Sequence, residues 1–349
     1  MAPWERPANR GPAAGPSAAD VVASVQGRRS FASDDVERLE DLADVTFLSR
    51  PEAMSTREAL SMFTAARFVA VTLEVAPPLD TLLLKGLPDL RGIALYATGY
   101  DFIDVAELAR RSVVLSILPS YSTRSVAEHT IGLMLTMSRR IHLGNDHARE
   151  MVPAGASLRG FELDGKTLGI IGCGRIGGTV ATLAQAFGMR VIAHDIEPKP
   201  VAGVEYVSRA TLLERSDIVT LHCPMTYGAP PPIGSPELTR MRPGVVLINS
   251  SRAALVDVGA VVHAIRVGHL RGYAVDDIVL AGSANGADLL REGRIVQTGH
   301  SAWWSDEVLQ RGGRMWADHI AALVAGAPLD VVADPGAVAR DTSVEQCEA

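Results

Sequence analysis

The sequence predicts an α/β protein of two doubly wound parallel-sheet domains, the second inserted into the first. Three observations carry that prediction. Short apolar runs alternate with helical patterns along most of the chain, which indicates βαβ units and parallel sheets. The 349 residues exceed what a single core usually holds. A glycine-rich strand-to-helix turn begins at Leu168, after a complete α/β series has run, so a fresh sheet starts mid-chain.

Residues 1–19 are rich in Pro, Ala, Gly and Asn without a period, and read as a flexible tail. Val21–Val25 reads as a first strand, Asp34–Leu42 as a helix and Val45–Leu48 as a strand. Thr56–Ala66 and Pro78–Leu84 follow as helices, with Phe68–Leu73 and Gly92–Ala97 as strands. A long helix is expected over Ser125–Ile141, apolar on most faces. Its Met134, Leu135 and Met137 suit a core or a subunit interface, and its apolar surface suggests a homodimer. A second strand series follows at Val191–His194, Asp217–His222, Val245–Asn249, Gly272–Val275 and Ile295–Thr298. A last helix, Asp306–Val324, returns to the first domain. The expected division is a tail at 1–19, one discontinuous domain at 20–124 and 305–349, and the inserted domain at 125–304.

Composition narrows the function classes. Hydrophobic residues at 47% and charged residues at 21% suit a soluble globular protein. A net charge of −7 argues against a nucleic-acid partner, which would need a basic surface. Three cysteines are too few for a disulfide framework. Cys173 and Cys223 read as reduced, packed thiols. No apolar run reaches a membrane span, and the Met1–Pro7 start lacks a basic segment leading into an apolar core. A cytoplasmic protein is expected, with no membrane partner and no metal.

The mid-chain turn is Leu168-Gly169-Ile170-Ile171-Gly172-Cys173-Gly174-Arg175-Ile176-Gly177. An apolar strand enters it, a helical pattern over Thr179–Phe187 leaves it, and a second strand ends at Asp195. This is the dinucleotide-binding fingerprint of a Rossmann domain. Gly172 permits the tight turn, Gly174 lets backbone approach a pyrophosphate, and Gly177 lets the helix pack on the strand. Arg175 and Ile176 open the helix, whose free N–H groups face the phosphates. Asp195, about 20 residues on, would bind a ribose 2′-hydroxyl and repel a 2′-phosphate, so NAD(H) is expected rather than NADP(H).

Two further residues suggest chemistry. Arg252 lies just past the strand Val245–Asn249, where open α/β sheets bind ligands, and its planar fork matches a carboxylate. His300 follows the Ile295–Thr298 strand and is of the type that moves protons near neutral pH. Trp303 and Trp304 read as core or domain-hinge packing.

Together these stretches resemble the D-2-hydroxyacid dehydrogenase family, from about Leu90 to Trp304. Ala97–Asp104 is similar to its substrate-side loop and Tyr121–Thr130 to the start of its domain-crossing helix. Ser216–Pro224 is similar to its strand under the cofactor, and Asn249–Asp257 to its arginine-bearing strand end; Gly268–Asp276 matches as well. The resemblance implies a flavodoxin-like substrate domain, NAD as cofactor, and a small-molecule substrate in a cleft. It places His222, Cys223, Pro224, Ser251 and Asp276 about the cofactor. Arg252 would hold the substrate carboxylate, Thr98 and Gly99 would complete that site through backbone N–H groups, and His300 would exchange a proton with the carbonyl oxygen.

One departure stands out. The family usually places a Glu about five residues past Asp276, to pair with the catalytic His. Here that place holds Ala281, and the loop to His300 is shortened. A carboxylate beside a His raises its pKa and fixes its tautomer. Asp277, Asp288 and Glu292 are the substitutes in reach by sequence. Three readings stay open. They are a dehydrogenase with His300 otherwise supported, a reductase of a non-2-oxo-acid substrate, and an NAD(H)-binding regulator. The third is prompted by Ala302-Trp303-Trp304-Ser305, which resembles a stretch in C-terminal-binding-protein relatives. Tyr96, Tyr100 and Tyr121 are candidates to line the substrate pocket. Tyr227–Ile233 reads as a stiff, extended connection.

Overall fold

The computed structural model describes residues 4–5, 22–24, 27–49, 52–77, 79–152, 157–225, 230–280, 285–327, 329 and 332–333. The first stretch contains β1 (Trp4–Glu5), β2 (Val22–Ser24), α1 (Ser33–Leu42), β3 (Val45–Leu48), α2 (Thr56–Phe63), β4 (Phe68–Thr72), α3 (Thr81–Lys85), β5 (Gly92–Tyr96), α4 (Val105–Arg110) and β6 (Val114–Ser116). The second contains α5 (Thr123–Arg139), α6 (Ile141–Ala148), β7 (Thr167–Ile171), α7 (Arg175–Ala186), β8 (Arg190–His194), β9 (Val204–Tyr206), α8 (Arg209–Arg215), β10 (Ile218–Leu221), α9 (Ser235–Arg240), β11 (Val245–Asn249), α10 (Val258–Arg266), β12 (Leu270–Val275), α11 (Ala287–Arg291) and β13 (Ile295–Gln297). The chain closes with α12 (Asp306–Ala325) and β14 (Val332–Ala333).

Contacts divide these residues into two compact units. The first joins those up to Tyr121 with those from Ser305 on, and the second is Ser122–Trp304. The first seam thus falls before α5, three residues earlier than the expected 124/125.

In the first unit the strand order is β1-β3-β2-β4-β5-β6-β14. The inner five pair in parallel in a flavodoxin-like order, while β1 and β14 add antiparallel edges. Trp4–Glu5 therefore pairs with Leu48 and Phe47, inside a segment expected to be a flexible tail. The other residues of 1–19 lie outside the described residues. Every residue of β4 and β5 is buried, as a doubly covered parallel strand requires. α12 packs on β4 and β5, with Trp316 fully buried and its indole N–H donating to Ala94 O. Tyr96 and Tyr121 are buried and meet edge-to-face at 5.1 Å. They are buried aromatics of this unit, Tyr96 also meeting Trp316, while Tyr100 is half-buried against the cluster that includes Leu95 and Ile103.

In the second unit the order is β13-β12-β11-β10-β7-β8-β9, all parallel. The chain order reverses between β7 and β10, and a crevice opens beyond the carboxyl ends of strands at such a switch point. α7 begins at Arg175, not Thr179, because Gly174 stands at its N-cap. The long helix breaks at Arg140, whose left-handed backbone (φ 57°) ends α5 and starts α6. Met134 and Met137 are buried in the core of this unit, with Leu135 packed against it. Much of the apolar surface that suggested a second copy is thereby covered within the chain; Ile141 stays 55% exposed. Trp304, expected in packing, is 69% exposed and stacks on Trp303. No helix among the described residues is long and apolar enough to cross a membrane.

Candidate active site

β7 ends in a turn that only glycine can make. Gly172 has φ 88°, and a Cβ there would lie 2.6 Å from Cys223 N and 2.7 Å from His222 C. The turn is thus pressed onto the loop that follows β10. At Gly177 a Cβ would sit 2.2 Å from Gly172 O, so the helix can pack this closely only without one. At Gly174 a Cβ would meet nothing within 4 Å. That side of the turn is open, where a phosphate would approach the first N–H groups of α7. Arg175 is exposed and Ile176 half-buried at the helix start.

Asp195 stands just past β8. Its Oδ2 accepts the Cys173 N–H at 2.6 Å and its Oδ1 the Glu197 N–H at 2.9 Å. The carboxylate is therefore held beside the glycine turn before any ligand arrives. Cys173 and Cys223 form no disulfide among the described residues, and burial pushes the Cys173 pKa up. A cavity of about 160 Å³ lies here, lined by Gly172, Gly174, Asp195, His222, Cys223 and Pro224 among others. Thr220 Oγ1 and His222 Nε2 are 3.0 Å apart, while His222 Nδ1 is buried without a partner among the described residues. Burial holds the His222 pKa down to about 3, so the ring is neutral. The open glycine cradle, the fixed Asp195 and the orphaned ring nitrogen fit a dinucleotide. Gly172–Gly177 would hold the phosphates, Asp195 a ribose, and His222, Cys223 and Pro224 the wall.

Beyond β11 the chain turns around Asn249, which is 1% exposed. Its Nδ2 donates to Arg252 O at 2.7 Å, its Oδ1 accepts Ser251 N–H at 3.0 Å, and its backbone O accepts Asp276 N–H at 2.9 Å. Ser251 Oγ adds a bond to Leu221 O at 3.0 Å, tying this loop to the end of β10. One buried amide thus sets the backbone of Ser251 and Arg252 and joins it to the end of β12. The sequence reading missed Asn249 as a site residue. Its signal was a polar residue closing a fully buried apolar strand, where an amide must find partners.

Asp276, 6% exposed, pins the next loop. Its Oδ1 accepts the Thr298 hydroxyl at 2.7 Å and Ser301 N–H at 2.8 Å, and its Oδ2 accepts Ala302 N–H at 2.9 Å. Between these anchors Gly299 and His300 both adopt left-handed backbone, φ 66° and 60°. The half-buried His300 ring bonds to no group among the described residues. None of the three carboxylates in reach by sequence pairs with it. Asp288 is engaged by Arg266, Asp277 accepts its neighbour Ile278 N–H, and Glu292 is exposed. Ala281 lies outside the described residues, as do residues 226–229 of the expected stiff connection.

In the first unit, Thr98 and Gly99 follow the carboxyl end of β5. Thr98 Oγ1 donates to Leu118 O at 2.8 Å. The Thr98 and Gly99 backbone N–H groups donate to no group among the described residues.

Comparison with known proteins agrees with this geometry. Residues 131–302 match the NAD-binding domain of the D-isomer-specific 2-hydroxyacid dehydrogenases. A glyoxylate reductase of Korarchaeum cryptofilum is 34% identical over 257 residues, 71% of this chain and 77% of the relative. The chain belongs to the D-isomer-specific 2-hydroxyacid dehydrogenase family. A glycerate dehydrogenase of Methylorubrum extorquens in that family is 33% identical over 73% of this chain and 82% of its own. Among solved structures, an acyclic imino acid reductase in complex with NADPH and D-Arg superposes with a TM-score of 0.79 at 26% identity, covering 89% of this chain and 99% of that one. As a member of the family, the chain is a dehydrogenase whose second unit binds NAD.

Proposed function

We propose that the protein interconverts a 2-oxo acid and a D-2-hydroxy acid with NAD(H), His300 exchanging the proton and Arg252 anchoring the carboxylate. The observation that carries this reading is the Asp276-pinned turn. It holds His300 in a fixed backbone with its ring unengaged, at the end of β13, two strands from the loop that holds Arg252. When bound, the nicotinamide supplies or accepts the hydride. His300, as imidazolium, gives its proton to the carbonyl oxygen in reduction and is left neutral; in oxidation it takes the hydroxyl proton back. Arg252 offers two donors to the carboxylate and stabilises negative charge on the adjacent oxygen. Thr98 and Gly99 have free N–H groups of the kind that hold a carboxylate. Asp195, already fixed, favours NAD(H) by repelling a 2′-phosphate.

NADH consumption over a panel of 2-oxo acids tests this, with His300→Ala and Arg252→Ala run alongside. Loss of turnover in both supports the assignment; a fully active Arg252→Ala removes the carboxylate anchor. We further place the protein in the cytoplasm as a homodimer, with exposed Ile141 covered by the second copy. A monomer mass in light scattering at micromolar concentration would exclude that dimer.

A second reading is favoured by the unpaired His300 ring and the imino acid reductase likeness. A protonated imine already carries the proton that a carbonyl must receive, so its reduction asks less of the histidine. Turnover of 2-oxo acid only when an amine is added would select this reading. Tight NADH binding with neither activity would leave the protein an NAD(H)-responsive regulator.

A further inference from the structure

Helix α5 carries Ser125 and His129 one turn apart on one face, with Thr130 next along the helix. Ser125 Oγ donates to Ala302 O at 2.9 Å. His129 Nε2 lies 3.0 Å from Thr298 Oγ1, and Thr130 Oγ1 lies 2.7 Å from Ser250 Oγ. The first two contacts meet the turn that carries His300, and the third meets the loop that carries Arg252.

The direction of the His129 bond follows from counting protons. Thr298 has one hydroxyl proton, and it goes to Asp276 Oδ1 at 2.7 Å, a carboxylate that can only accept. The Thr298 oxygen is then an acceptor, so His129 must donate through Nε2–H. Burial outweighs the nearby Asp276, 3.8 Å away, and holds the His129 pKa below its ordinary value. The ring is neutral, with its proton on Nε2 and none on Nδ1.

We infer that His129 is a positioning residue: its Nε2–H locks the Thr298 hydroxyl onto Asp276 and so fixes the turn that carries His300. The inference rests on His300 being the proton donor. The turn needs this support because His300, beside Gly299, is held in a left-handed backbone region that residues with a side chain rarely adopt. No carboxylate partner orients the His300 ring among the described residues, so the backbone of the turn sets where the ring stands.

Imidazole ¹⁵N spectra of the full chain labelled in histidine, with glyoxylate reduction by NADH measured in parallel, test the inference. His129 should show the Nε2–H tautomer. His129→Phe should lower kcat about tenfold, since small misplacement of a reacting group is costly, with KM for NADH nearly unchanged. His129→Gln should restore most of the rate, because its amide N–H can stand where Nε2–H stood. Thr298→Val should reproduce the loss, and adding His129→Phe to it should cost nothing more. A His129 found as Nδ1–H overturns the relay whether or not glyoxylate is consumed. So does a Gln variant as slow as Phe. His300→Ala separates the two readings. If that variant stays active, the proton-donor assignment fails while the tautomer still judges the relay. If it is inactive and His129→Phe is as fast as wild type, only the positioning role fails.

Discussion

Asp276 Oδ1 accepts the backbone N–H of Ser301 at 2.8 Å, the amide next after His300. A carboxylate that the sequence suggested for the cofactor is thus also the clamp of the turn that carries His300. Asp276→Asn would place an NH₂ group against one of three donors. We expect it to cost about 2 kcal/mol of stability, the scale of a hydrogen bond to a charged group, and to slow reduction. Urea unfolding and steady-state rates measure both, and an unchanged midpoint would mean the turn holds by itself.

Gly172 and Gly174 should separate folding from binding. Gly172→Ala drives a Cβ into the backbone of His222 and Cys223 at a positive φ, so it should lower the melting temperature and abolish NADH binding. Gly174→Ala meets nothing within 4 Å and has an ordinary φ of −76°. It should melt like wild type yet bind NADH about tenfold more weakly, because the methyl fills the phosphate approach. Equal NADH affinity in Gly174→Ala would move the pyrophosphate elsewhere.

Acid should weaken the protein through His222. Its pKa is held down to about 3 in the fold, against about 6.5 in the unfolded chain. Between those values the unfolded state takes up a proton that the folded state refuses. Stability is therefore full above about pH 6.5 and falls as pH drops toward 3, by up to about 1.4 kcal/mol per pH unit. Half-buried His129, whose pKa is likewise held down by desolvation, acts in the same sense. The melting temperature should fall less between pH 7 and 5 in His222→Gln than in wild type. Identical falls would show that the ring already meets water.

Ala281→Glu would restore the carboxylate that the family keeps beside its histidine. A carboxylate neighbour favours imidazolium, so the loss of reduction with rising pH should shift to higher pH. The kcat profile reads this directly; an unmoved profile would mean that the loop around 281 runs away from His300.

The parts of the site legible in the sequence were those written locally. The glycine turn, the apolar strand before it and Asp195 fall within one βαβ unit, where each residue type has a nearby mechanical reason. The alternation of runs likewise gave both parallel sheets. What was illegible depends on distant partners. His129 looks like any polar residue on a helix, and its partner Thr298 is 169 residues away. Asn249 was hidden because its bonds join its own loop to β12 and its end, which are distant in sequence. The break at Arg140 had no glycine or proline to mark it, since an arginine rarely takes a left-handed backbone. The short helices α8 to α11 were masked by the stronger strand signals around them.

The glycine cradle, Asn249, Arg252, Asp276, His129 and His300 all fall within Ser122–Trp304. The residues proposed for proton exchange and for dinucleotide binding therefore lie together in one uninterrupted stretch of sequence. If the first unit sets substrate preference, as the proposed role of Thr98 and Gly99 would have it, recombination at the two seams, Tyr121/Ser122 and Trp304/Ser305, would exchange that preference between relatives while leaving those residues together. Such a layout lets a lineage explore new substrates without having to reinvent the chemistry each time.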